Sequence, residues 1–289
     1  MRKIPTWIGA SLAAGALGAL VWLERRRPLR RSVESKLRRD ARNLAVAATA
    51  ALALRFAERP VAERLTALVE RRQTGLLKQV ALPPALEVAL AVLLLDYTLY
   101  VWHVLTHRIP WLWRFHLVHH ADLDLDASTA LRFHFGEMVV SVAWRAAQVI
   151  IIGVSPGSLS AWQSLLFVSI LFHHSNVRLP LGAERRLGKF IVTPRMHGIH
   201  HSSASDERDA NWSSGLALWD RLHGTLRLNV PQDGIEIGVP AYRAPQELGL
   251  FELLKLPFGA ERSPAAETTL DARTARAAPA FIPTDHLLA

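Results

Sequence analysis

His103–His120, HVLTHRIPWLWRFHLVHH, is the stretch on which this chain turns: it holds five of the thirteen histidines. His103 and His107 are four residues apart, and His116, His119 and His120 form an H-x-x-H-H triad. Residues three and four apart share a helix face, so each cluster is expected to aim its imidazoles at one point, as a metal site requires. The same triad returns as His197, His200 and His201 in PRMHGIHHS, and His173-His174 lies between the two in LFHHSN. A lone histidine is ordinarily a solvated or hydrogen-bonded side chain; repeated clusters beside apolar segments are not explained that way. The nine clustered histidines, joined by His173 or His134, exceed what one metal can bind, and two metal ions account for the number.

The composition narrows the chemistry. Half of the 289 residues are hydrophobic and none is cysteine, which excludes disulfides, thiolate sites and Fe–S clusters and leaves nitrogen and oxygen ligands. A net charge of +9 invites a nucleic-acid reading, but the basic residues lie beside apolar segments and no nucleic-acid motif accompanies them. They are taken as membrane-flanking charge, with no nucleic acid as partner.

Outward from the histidines, the chain divides into three parts. Residues 1–82 are expected to form a membrane anchor, a basic loop and an amphipathic segment. Trp7–Leu23 is uncharged and close to spanning length, and the ERRRPLRR that follows is a stop-transfer context rather than a cleavage site. Nine Lys/Arg between Glu24 and Arg42 put this loop in the cytoplasm by the positive-inside rule. Asn43–Leu54 is short for a span, with Arg42 and Arg55 placed to snorkel. Pro60–Leu82 is an interfacial amphipathic helix or an ordinary solvated one.

Residues 83–258 are the expected catalytic domain. Leu86–His107 is one apolar helix on which Asp96, Tyr100, His103 and His107 share a stripe. Asp96 lies about 10 Å from His103 along an ideal helix, too far to share a metal, so it is expected to support the ligands from behind. Pro110 breaks the helix before Trp111–His120. The DLDLD of Asp122–Asp126 lacks the glycine and distal glutamate of a calcium loop and is taken as a surface turn. His134 and Glu137, three apart, are candidates to serve the site. Met138–Val154 and Ser158–Phe172 form a helical hairpin through a Ser-Pro-Gly turn, returning the chain to the side on which His120 left it. Thr193-Pro194 starts the helix of the last triad. Residues 259–289, rich in Ala, Pro and Thr, are expected to be a disordered tail.

DYTLYVWHVLTHRIPWLWRFHLVHH, TALRFH, HHSNVRLP, TPRMHGIHH and WDRLHGTL, in this order, resemble the integral-membrane fatty acid hydroxylase/sterol desaturase superfamily over about Asp96–Leu226. The resemblance implies an all-α integral membrane helical bundle with a cytosolic helical cap carrying a histidine-rich dimetal site. It implies two iron ions, with zinc as a substitute in purified protein, held by His103, His107, His116, His119, His120, His174, His197, His200 and His201. Of the neighbours His173 and His174, the second has the matching HSN context. It further implies oxidation of a lipid by O₂, giving an alcohol or an alkene. Asp96 and Asn211, with Asp209, become candidates near the reacting centre. Ser213 stands where the family has glycine and His223 where it has phenylalanine; His223 is taken as packing. No electron-transfer module is attached, so a separate ferredoxin or cytochrome b5-like donor with its reductase is implied. The location implied is a bacterial inner membrane with the metals on the cytoplasmic side.

Three other classes are weighed against this. A zinc-dependent membrane hydrolase would use three histidines and a water, but no H-E-x-x-H string is present. A non-enzymatic metal-binding membrane protein would lack a lipid-sized cavity. A haem electron carrier would need only four histidines.

Overall fold

The computed structural model describes residues 6–260, and among these the fold is all-α, with no strand and only isolated β-bridges. In order come α1 (Thr6–Arg26), α2 (Lys36–Ala53), a π-helical turn (Leu54–Glu58), α3 (Arg59–Arg72), α4 (Pro84–Arg108), α5 (Pro110–His120), α6 (Phe135–Ile152) and α7 (Pro156–His174). Short helices follow: α8 (Leu181–Leu187), α9 (Pro194–His200), α10 (Ser205–Arg208), α11 (Leu218–Leu222) and α12 (Leu250–Lys255). The expected tail falls almost wholly outside the described residues.

Proline and glycine set the boundaries. Pro84, Pro110, Pro156 and Pro194 each open a helix within its first two positions, where a missing N–H costs nothing. Pro60 cannot donate to the carbonyl of Phe56, and the π-turn at Leu54–Glu58 absorbs the lost bond, so α2 and α3 run on as one bent rod. Gly153 ends α6 at φ +82°, and Gly75 (φ +101°) meets it so closely that a Cβ on Gly75 would lie 2.3 Å from the Gly153 Cα. Both turns at the end of the bundle far from the histidines are thereby fixed.

Helices α4 and α6 are long and apolar enough to cross a membrane by length and composition. Helix α4 packs on α7, and the α2–α3 rod lies along α6. Between them Ala62, Val69, Ala91, Leu95, Val149 and Trp162 form one core. A second core, with Val46, Val118, Leu248 and Leu253, straps the C-terminal residues over α2 and α5. Leu248 and Leu253 are fully buried, and truncating either to alanine costs about 2–5 kcal/mol.

The DLDLD segment corrects the surface-turn reading. Asp122, Asp124 and Asp126 are all buried. Arg39 donates through Nε to Asp122 (2.9 Å) and through Nη1 to Asp126 (2.6 Å). Lys36 adds a contact of 2.5 Å to Asp126, Arg132 lies 3.3 Å from Asp122, and Asn43 donates to Asp122 at 2.9 Å. Part of the basic loop taken as membrane-flanking charge thus closes an internal ion-pair lattice. The partners lie some eighty residues apart, so no local pattern announced them.

Candidate metal centre

Nine histidines converge at one end of the bundle and fall into two groups. His103 and His107 from α4, His116 and His120 from α5 and His200 from α9 form a pentad. His119 from α5, His174 from α7, and His197 and His201 from α9 and its C-terminal cap form a tetrad. Within each group one ring nitrogen per residue lies within 4.8 Å of the others. The expectation that each triad aims at a single point is corrected: both triads are divided. At 100° per residue, positions i and i+4 differ by about 40°, while i+3 falls some 60° to the other side of i. His116 and His120 therefore join the pentad and His119 the tetrad. In α9 the roles reverse, with His197 and His201 in the tetrad and His200 in the pentad. The two helices face each other across the groups, and each supplies both.

Hydrogen bonds fix four tautomers. His103 Nδ1 meets the Trp212 carbonyl at 2.7 Å, His200 Nδ1 the Ala210 carbonyl at 2.9 Å and His174 Nδ1 the Ile170 carbonyl at 2.8 Å. His116 Nδ1 meets Glu137 Oε1 at 3.0 Å. Carbonyl and carboxylate oxygens only accept, so each Nδ1 carries the proton and each Nε2 presents a lone pair. Yet His103 Nε2 and His200 Nε2 face each other at 3.1 Å, and His174 Nε2 lies 3.0 Å from both His119 Nε2 and His197 Nε2. The His103 and His200 lone pairs repel at that distance unless a cation lies between them, and His174 Nε2 has one lone pair for two facing imidazoles. Further nitrogens are buried with no partner: Nε2 of His107 and His116, Nδ1 of His119, His197 and His201, and both of His120. A stranded buried polar atom costs about 1–3 kcal/mol. The donor set fits metal cations held by neutral imidazole. Burial pushes His119, His120, His197, His200 and His201 well below the usual imidazole range, which keeps them in the neutral form that coordinates.

The remaining candidates sit elsewhere. His173 is buried with both nitrogens unpartnered, its ring centroid 4.2 Å from that of His197, but it belongs to neither group. His134 also stands outside both: it caps α6, accepting from the Gly136 N–H at 2.9 Å, and its Nε2–H donates to the Leu254 carbonyl at 3.2 Å. Asp96 touches no histidine. Its Oδ2 accepts from the Leu216 N–H (3.0 Å) and the Trp219 indole (2.7 Å), anchoring the segment whose Trp212 carbonyl orients His103. Asn211, at φ +55°, donates to the Met196 and Arg227 carbonyls at 2.9 and 2.8 Å and accepts from the Arg227 N–H at 2.8 Å. It straps the start of α9 in place. Asp96 and Asn211 thus bond to the segments that flank the histidines rather than to any histidine. Asp209 lies at the surface, 3.3 Å from Arg108, and His223 stacks on Tyr97 and Tyr100.

The sequence offered Glu137 and His134 as partners behind the ligating histidines; Glu137 takes that place behind His116. Asp220 was passed over, though it accepts from the Trp212 and Ser213 N–H groups at 2.9 and 3.0 Å and so holds the loop behind His103. The orienting carbonyls of Ile170, Ala210 and Trp212 carry no side-chain signal at all. Beside the histidines a cavity of about 540 Å³ reaches down between α2, α4, α6 and α7, touching His103, His116, His119, His174 and His197 at its upper end.

Comparison with known proteins agrees with this geometry. Residues 88–225 match the fatty acid hydroxylase family, and that segment contains every member of both groups. Ornithine lipid hydroxylase OlsE of Rhizobium tropici is 30% identical over 61% of this chain and 51% of its own length. Cholesterol 25-hydroxylase of Mus musculus is 26% identical over 48% and 46%, and alkylglycerol monooxygenase of Homo sapiens 26% over 56% and 34%. The chain spans about half the length, or less, of these curated relatives. No solved structure matches it. Through its histidine-bearing segment, residues 88–225, the chain is similar to the fatty acid hydroxylase family.

Proposed function

We propose that this protein is a membrane-bound, O₂-dependent oxidoreductase that hydroxylates or desaturates a lipid, with two iron ions as its cofactor. The observation that carries the reading is the division of nine histidines, eight of them buried, into a pentad and a tetrad whose ring nitrogens face one another. His103, His107, His116, His120 and His200 would hold one ion, and His119, His174, His197 and His201 the other. When bound, the metal pair supplies the redox chemistry with O₂; the chain's own residues do the rest. Glu137 and the Trp212, Ala210 and Ile170 carbonyls keep Nδ1 protonated and Nε2 aimed inward, so the ligands need no reorganisation. Asp96, Asn211 and Asp220 hold the segments that carry those contacts. The cavity, walled by Leu99, Trp102, Met138, Trp144 and Ile170, excludes water and sets one carbon of an extended apolar chain beside the upper histidines.

In this reading residues 83–258 are the catalytic domain and 1–82 its membrane anchor and α2–α3 rod. The metals lie on the cytoplasmic side of a bacterial inner membrane. Arg25, Arg26, Arg27, Arg31 and Arg38 remain exposed after the internal lattice is subtracted, and they support that orientation. Electrons would come from a separate ferredoxin or cytochrome b5-like protein. Metal analysis of the purified chain, with lipid mass spectrometry of cells with and without it, tests the proposal. About two irons per chain and a lipid that gains one oxygen atom or loses two hydrogens are expected. Zinc alone with a hydrolysed lipid would replace this reading with a membrane hydrolase.

A further inference from the structure

The end of the cavity far from the histidines is not apolar. Glu58 from the π-turn, Arg145 from α6, and Trp162 and Gln163 from α7 line it. Arg145 Nε lies 3.4 Å from Glu58 Oε1, its Nη1 donates to Gln148 at 2.6 Å, and its guanidinium stacks on Trp162 at 4.4 Å. Charged groups at the middle of a membrane-type bundle are costly and mark function by default. The Trp162 indole N–H, in a residue only 2% exposed, has no hydrogen-bond partner, and a buried indole ordinarily finds one. A second cleft of about 550 Å³, between α3 and the start of α7, meets the cavity here: Leu54, Glu58 and Gln163 line both. Beyond them it presents Arg55, Arg59 and Glu63.

We propose that Glu58, Arg145, Trp162 and Gln163 form a distal polar subsite. It binds the uncharged, hydrogen-bonding head of an amphiphile whose chain runs up the cavity to the histidines. The Arg145 charge already has its carboxylate in Glu58, so a substrate carboxylate would be a second anion on one guanidinium; a hydroxyl takes the indole N–H and the Gln163 amide without disturbing the pair. The cleft is the entry path, with the chain passing the π-turn first and the head stopping at the junction. The subsite also acts as a ruler. From Arg145 to Glu137 along α6, and from Gln163 to His174 along α7, the rise is about 12 and about 16 Å, and that span fixes which carbon reaches the histidines. This deepens the lipid-oxidation reading and rests on it for the identity of the reacting end.

The test uses the full chain in lipid nanodiscs, with retention of dodecan-1-ol, dodecanoic acid and dodecane measured by mass spectrometry against empty nanodiscs. The alcohol should be held most tightly. Trp162→Phe, which keeps the stack on Arg145, and Gln163→Leu should each weaken alcohol binding about fivefold and leave dodecane unchanged. Equal retention of alcohol and alkane, preference for the acid, or equal losses for alcohol and alkane in the variants would each overturn the proposal. His200→Ala, outside the cavity wall, should retain alcohol binding while losing metal. Alcohol binding without any lipid oxidation would sink the oxidoreductase reading alone; oxidation without alcohol selectivity would sink the subsite alone.

Discussion

Two buried polar clusters sit at the same end of this bundle, and they are built on opposite terms. In the lattice of Arg39, Asp122, Asp126 and Arg132 the aspartate oxygens have donors within the protein. Asp122 Oδ2 takes Asn43 and Thr129, and Asp126 Oδ1 takes Ser128. In the histidine centre, by contrast, nitrogens from eight residues are stranded or opposed. The lattice gives every oxygen of Asp122 and Asp126 a donor from the protein and pins α5 to α2. The centre leaves those nitrogens without such partners, in two groups that could each hold a cation. Six residues separate His120 from Asp126, so a closed ionic structure is the rigid abutment on which the open one is mounted.

The sharpest way to break this contrast is to remove a ligand. On the two-metal reading proposed above, His200→Ala should lower metal content to near one ion per chain or less and abolish turnover, because the pair is lost rather than weakened. The unfolding midpoint of the metal-free protein should move little, since relief of the opposed lone pair offsets the lost bond to the Ala210 carbonyl. A large loss of metal-free stability would show that the histidines satisfy one another without metal, and the comparison would collapse. Arg39→Met should do the reverse. It takes the paired charge from two buried carboxylates, which keep Asn43, Thr129, Lys36 and Ser128 as donors. The cost is about 3 kcal/mol, the low end for breaking a buried pair, read by denaturant unfolding of the metal-free chain, with chelators adding nothing to that loss.

Acid separates the clusters in another way. Burial alone would raise the Asp126 carboxyl, but the bonds and charges of Arg39 and Lys36 overcome it and hold the group below its ordinary 3.8. A depressed carboxylate favours the folded state above the unfolded pKa. Its contribution disappears as the pH falls through about 4 toward the folded value. Metal-free wild type should lose stability steeply below pH 4, and Arg39→Met should show a flatter slope there; parallel slopes would remove Asp126 from the argument. A smaller effect is expected at Glu137, where glutamine keeps an acceptor for His116 Nδ1–H but drops the charge. Glu137→Gln should weaken metal binding about tenfold, the low end of losses at such positions, with metal-free unfolding unchanged.

What the sequence made legible follows the range of each interaction. The helices, the α6–α7 hairpin and the set of histidines that meet were visible because periodicity and proline position are local. The division of each triad was implicit in the same 100° rule, but it needs the facing helix to show which way each ring turns. Nothing local distinguished Asp122–Asp126 from a solvated turn, because Arg39 lies outside any window that contains them. His134 was a reasonable candidate by type and place; its partners, the Gly136 N–H and the Leu254 carbonyl, were not foreseeable from composition. The Arg145–Glu58 pair escaped for the same reason as the lattice, with its members on helices far apart in the chain.

Asp96 tests how far the orienting framework extends from the metals, and its effect should be the smallest. Its helix stripe suggested support of the ligands from behind, and its contacts are with the segment that does this: Leu216 and Trp219 bond to it, and Trp212 in the same segment bonds to His103. Both donors converge on a single oxygen, Oδ2, so Asp96→Asn can keep both bonds by placing its amide oxygen there. The Nδ2 group would then face Gly215, whose Cα has no side chain to clash; a Cβ there would lie 2.2 Å from Oδ1. The bonds weaken from charge-assisted to neutral, roughly halving each, and metal affinity should fall no more than about threefold. Asp96→Ala removes the acceptor and strands two buried donors, and about a tenfold loss is expected, at the low end for positions that orient a ligand. The pair of variants carries its own control. If alanine and asparagine behave alike, the position contributes space rather than an acceptor. If neither moves metal affinity, the Trp212 carbonyl is held by Asp220 alone, through the Trp212 and Ser213 N–H groups.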